Sequence, residues 1–198
     1  GNKVSIATQT EERMMEGSEL HICMYRRPHP GFDKFQYIEV YHLPELAERL
    51  EAAIRGARKT IYATFYTFDG RFISALNAFL RKEGTLFRGV FDKAQISSPS
   101  CLGQAETLDD LRYWNVELYE RTPKTSRRKP VGEGKKPNAF PIQHEKTWIF
   151  DDVMALVTSM NATYNSAEHC EECGVFFKFP AQVQSMLDHF EYLVATAS

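Results

Sequence analysis

Residues 142–177 read IQHEKTWIFDDVMALVTSMNATYNSAEHCEECGVFF, and the fold follows from how this stretch divides. Gln143–Phe150 and Val153–Ser159 are rich in β-branched and aromatic residues and meet at Asp151-Asp152. That pattern predicts two strands joined by a tight turn. Glu172–Lys178 predicts a third strand. His144 and Lys146 are two apart on the first, so imidazole and ammonium face one way. Ser159 and Asn161 are two apart at the end of the second, and Glu172 opens the third. Polar and ionisable side chains thus gather at the ends of adjacent strands, where α/β proteins usually bind ligands.

Working outward, strands and helices alternate. Gln36–Tyr41 reads as a strand. Leu43–Arg55 reads as an amphipathic helix, with Leu46, Leu50, Ala53 and Ile54 at helical spacing. Strands follow at Thr60–Phe68, Leu86–Asp92 and Val116–Tyr119, and helices at Arg71–Lys82, Ala105–Tyr113 and Ala181–Val194. Such alternation predicts an α/β fold, a mixed β-sheet flanked by helices on both faces. The chain of 198 residues suits one core. We assign residues 35–198 to a catalytic domain and residues 1–34 to a polar N-terminal extension, with one short strand expected at Glu19–Tyr25.

Hydrophobic residues make up 43% and charged residues 25% of the chain, which indicates a globular protein and not a disordered one. The net charge of −2 hides an uneven spread. Residues 121–138 carry +6, leaving −8 elsewhere, so the anionic partner this implies engages one place. Pro123, Pro130, Gly132, Gly134 and Pro137 mark residues 121–139 as an inserted loop. The four cysteines are irregularly spaced and imply no disulfide framework. Cys170-x-x-Cys173, beside His169, has no second pair to complete a zinc site, so small buried thiols are expected. No apolar run is long enough to span a bilayer. The chain begins at Gly1 and not at Met, which leaves open a preceding segment that anchors, targets or exports it. Location is not read from these residues.

The pattern His144-x-Lys146-x4-Asp151, then Ser159-x-Asn161, then Glu172 eleven residues later, resembles the phospholipase D superfamily. The likeness runs from about Phe35 to the end and is greatest to the single-motif endonuclease branch, Nuc-like and Zucchini-like. The chain departs from the pattern at Thr158, where the family usually has Gly, which puts the turn carrying Ser159 in question. It also departs in the basic insert.

The resemblance implies that His144 attacks phosphorus and forms a phosphohistidine. Glu172 would hold the other ring nitrogen, fixing the tautomer. Lys146 and Asn161 would bind the non-bridging oxygens, and Ser159 would add a hydrogen bond. Asp151 completes the motif. Strand parity turns it to the opposite face, so it is expected to tie the turn or a neighbouring backbone. No metal and no cofactor enter this scheme. The family's second histidine has no counterpart, because His21, His29, His42, His169 and His189 all lack a lysine two residues on. A second copy must then supply it through a two-fold homodimer across the active site.

The expected substrate is nucleic acid, DNA or RNA, with Arg127, Arg128, Lys129, Lys135 and Lys136 tracking phosphates at the cleft rim. An ordinary solvated loop is the plainer reading of that segment. Tyr66 or Phe68 could reach the cleft. Two other functions remain: a cardiolipin hydrolase-like lipid phosphodiesterase, and a nucleic-acid-binding module that no longer turns over.

Overall fold

The computed structural model describes residues 38–96, 103–122 and 142–197. The N-terminal extension with its expected strand, and the five basic residues Arg127, Arg128, Lys129, Lys135 and Lys136, lie outside the described residues. The elements run β1 (Ile38–His42), α1 (Glu45–Gly56), β2 (Thr60–Phe65), α2 (Ile73–Leu80), β3 (Leu86–Asp92) and α3 (Gln104–Leu111). They continue with β4 (Val116–Arg121), β5 (Thr147–Phe150), β6 (Met154–Thr158), α4 (Tyr164–His169), β7 (Cys173–Phe177) and α5 (Pro180–Ala195).

The seven strands form one sheet in the order β1-β7-β6-β5-β2-β3-β4. β2, β3 and β4 are mutually parallel, and every other neighbouring pair is antiparallel. The sheet is therefore mixed, as expected. Alternation along the strands divides its two faces. Ile61, Phe65, Phe87, Trp148, Phe150, Leu156 and Phe176 turn to one side, where Leu46 and Leu50 of α1, Leu76 and Phe79 of α2 and Leu108 of α3 cover them. Tyr62, Val90, Ile149 and Ala155 turn to the other, against Val183, Phe190 and Leu193 of α5. Each such large apolar side chain contributes about 1.5–3 kcal/mol by leaving water. Helices thus lie on both faces. Among the described residues no helix is long and apolar enough to cross a membrane.

Three differences from the sequence reading have local causes. β2 ends at Phe65, and Phe68 instead pairs singly with Ala162 while fully buried. β5 begins at Thr147, so His144 and Lys146 precede the strand instead of lying on it. The ladder stops there because side chains take over: the Thr147 amide donates to Thr64 Oγ1 at 3.1 Å, and the Gln143 amide donates to the Asp92 carboxylate at 2.6 Å. The helix α4 carries a short polar pattern that gave no periodic signal. Thr163 caps it by accepting from the Ser166 amide at 3.2 Å.

Candidate active site

The C-terminal ends of β2, β3 and β6 and the N-terminal ends of β5 and β7 lie along one edge of the sheet, and the antiparallel pairings put them there. Tyr66 follows β2, Asp92 ends β3, His144 and Lys146 lead into β5, Ser159 and Asn161 follow β6, and Glu172 precedes β7. The Thr158 amide donates to the Lys146 carbonyl at 3.1 Å, and the Ser159 amide to the Cys173 carbonyl at 3.0 Å, which aligns these ends. Five of the six motif residues are brought together in this way.

Lys146 is 6% exposed. Its ammonium donates to the His144 carbonyl at 2.8 Å and lies 3.1 Å from Nδ1 and 3.2 Å from Nε2 of the same residue. Nearly equidistant from the two nitrogens, it sits across the ring and cannot lie along both lone pairs. Tyr66 packs against both groups, its ring centroid 4.9 Å from that of His144 and 5.7 Å from the ammonium. Phe68, the other aromatic candidate, is in the core. Desolvation lowers the pKa of Lys146, opposed by the Glu172 carboxylate. His144 keeps one side open to solvent, yet its pKa is lowered too, first by desolvation and then by the Lys146 charge, with Asp92 opposing. The shift on His144 favours a neutral imidazole at neutral pH.

Ser159 donates to Glu172 in a short hydrogen bond and accepts from the Cys173 amide at 3.1 Å. Glu172 is thereby joined to Ser159 and not to His144, which differs from the contact implied by the resemblance. Asn161 Oδ1 is buried and has no hydrogen-bond partner. Such an orphaned group costs about 1–3 kcal/mol. Thr158 stands where the family has Gly, but its φ is not positive, so the turn needs no glycine. Its hydroxyl donates to the Cys173 carbonyl at 2.8 Å and accepts from the Met160 amide at 3.0 Å.

Asp151 stands at the other end of β5. Its carboxylate accepts from the amides of Arg58 at 2.9 Å, Lys59 at 2.7 Å and Thr60 at 3.1 Å. It ties the β5–β6 turn to the start of β2 and stands away from the imidazole. Cys173 is exposed and Cys170 half-buried, so the pair is not the buried thiols expected. The β7 entry where they sit is shaped by Ser159 and Thr158, which hold it to the sheet edge. Among the described residues no group of three or more His, Cys, Asp or Glu is gathered as a metal site needs.

Four contacts around the site were not foreseen. Asp92 holds the Gln143 amide, and Arg121 Nη1 donates to Gln143 Oε1 at 2.7 Å. Thr64 and Thr147 share a 2.8 Å hydroxyl contact. Glu145, between the two key residues, turns to α5 and pairs with His189 at 2.9 Å. Only strand parity hinted at any of these, by sending Glu145 to the face opposite its neighbours.

Comparison with known proteins adds the family. The solved structures with similar folds include Nuc from Salmonella typhimurium, titled a phospholipase D family member (22% identity, TM-score 0.66, covering 82% of this chain and 97% of that one). NucT from Helicobacter pylori matches at 16% identity and TM-score 0.64, covering 81% and 96%. The phosphatidylserine synthase of Haemophilus influenzae Rd KW20 matches at 12% identity and TM-score 0.57, covering 84% of this chain and 40% of that one. No curated protein matches by sequence. The family model described as "Cardiolipin synthase, PLD-like domain" matches residues 50–194, most of the chain. With that match over a sheet edge that gathers His144, Lys146, Ser159, Asn161 and Glu172, the chain belongs to the phospholipase D-like domain family and takes its place among that superfamily's phosphodiesterases.

Proposed function

We propose that the protein hydrolyses phosphodiesters of nucleic acid, without a metal ion, through a phosphohistidine on His144. The observation that carries this reading is a buried lysine lying across an imidazole that is open to solvent on one side. A phosphodiester brings the negative charge that such a cation needs, and the amide nitrogen of Asn161, at the same sheet edge, would donate to its oxygens. A neutral ring nitrogen of His144 attacks phosphorus, a P–N bond forms, and the P–O bond to the leaving group breaks. The departing oxygen takes a proton from His144 of a second copy. Water then attacks phosphorus, gives its proton to that second imidazole and releases the first. The two rings titrate as a pair, one charged and one neutral.

A two-fold homodimer follows from this scheme, because the chain carries one His144 and the ring remains open to solvent. Nucleic acid is favoured over lipid by the basic insert, with Arg127, Arg128, Lys129, Lys135 and Lys136, and by similarity over nearly the whole length of Nuc and NucT. The family description, which names cardiolipin synthase, supports the lipid alternative. The test is incubation of the purified protein in EDTA with single-stranded DNA, RNA, duplex DNA and cardiolipin vesicles in parallel. Cleavage of a nucleic acid that survives EDTA and vanishes in His144→Ala is expected, with fold unchanged by circular dichroism. Cleavage of cardiolipin alone would shift the assignment to lipid, and activity retained by His144→Ala would remove the mechanism.

A further inference from the structure

We propose that Asp92 is a positioning residue for His144: from the end of β3 it fixes the main chain one residue ahead of the imidazole. The inference rests on the role given to His144 above.

Asp92 is 1% exposed. A carboxylate so far from water is costly unless hydrogen-bonded. One oxygen accepts from the Ala94 amide at 2.9 Å, and the other from the Gln143 amide at 2.6 Å across a separation of 51 residues. The sheet ladder does not hold that amide, because β5 begins only at Thr147. Gln143 is gripped a second time through its side chain, which accepts from Arg121 at the end of β4. Downstream, Thr64 holds the Thr147 amide. Residues 144–146 therefore span between two fixed points, one on β3 and β4 and the other on β2. They carry both His144 and Lys146. A shift at Gln143 would move the imidazole relative to the ammonium lying across it, and a small misplacement of a reacting group costs rate steeply.

Asp92 also acts through charge. Lys146 and Tyr66 lie against the ring, Asp92 acts on it through charge, and Glu172 acts on Lys146. Of these, Asp92 is the one that favours a protonated ring, against desolvation and Lys146. An imidazole that must also serve as acid for its partner needs that counterweight.

The test is Asp92→Asn, which keeps the shape and one acceptor and removes the charge. Two readouts are taken: the His144 imidazole titration by NMR, and kcat and KM for the cleaved substrate. The expected result is a titration midpoint at lower pH and a kcat lowered about tenfold or more, with KM changed less than about twofold. An unchanged midpoint with unchanged kcat overturns the proposal. The titration needs no turnover, so a wild-type protein that cleaves nothing defeats the functional reading while Asp92 is still tested. If the variant fails to fold, hydrogen exchange of the wild-type Gln143 amide decides. Protection supports the anchor, and exchange at the rate of a free amide overturns it.

Discussion

Desolvation makes protonation of the His144 imidazole unfavourable, and an ammonium 3.1 Å from its ring nitrogen adds to it. The proposed attack on phosphorus requires the neutral ring, so in that mechanism His144 stays competent to lower pH than a free histidine. The sign of the effect gives a test. Lys146→Met keeps most of the stem and removes the charge, so the pKa of His144 rises. The acid limb of the pH profile of kcat/KM should then move to higher pH. The maximal rate should fall about 100-fold, as the phosphate loses its cation. A limb that stays in place would mean that Lys146 does not set the ring's protonation. At this scale the sequence was legible where partners are near in the chain: residues 144–172 hold five side chains of the site, and parity orients them. Asp92 was not legible, since its tie to Gln143 crosses 51 residues and depends on a ladder that stops early.

The β5–β6 turn shows why an element can matter as much as a reacting side chain. Asp151 and Asp152 have φ of 51° and 59°, a left-handed backbone that aspartate tolerates better than most residues. Asp151 holds it in place by accepting from three consecutive amides of the β2 entry. Asp151→Ala removes all of these bonds and should destabilise the protein by about 3 kcal/mol. Thermal unfolding would show the loss, while kcat of the folded fraction stays near wild type. Gly174 in β7 is another such point. A Cβ there would meet Leu46 Cδ1 at 2.6 Å and Leu156 Cδ1 at 2.9 Å, so α1 rests directly on the strand. Gly174→Ala should cost about 1–3 kcal/mol by the same measurement. Strand and helix cores were legible because β2, β3 and α1 carry clear periodicity. Short α4 was not, because its six residues are polar and are held by the Thr163 cap.

For the whole molecule, the proposed pairing of two copies makes a quantitative claim. If each working site needs His144 from both chains, wild type mixed equally with His144→Ala and allowed to exchange should retain about a quarter of the activity. Independent sites would retain about half. Size measurement in solution on the same samples should show a dimer throughout. The mixed sheet was legible from the alternation of strands and helices. Its order was not, because pairings such as Ile38 with Phe177 join segments remote in the chain.

The same sheet has a seam. β5, β6 and β7 form a local antiparallel run, β2, β3 and β4 a parallel one, and the two meet only where β2 pairs with β5. The site lies across that seam, with Tyr66 and Asp92 on one bank and His144, Lys146, Asn161 and Glu172 on the other. A chain with one bank folded holds either Tyr66 and Asp92 without the imidazole or the imidazole without them, so the site is completed only when β2 and β5 pair.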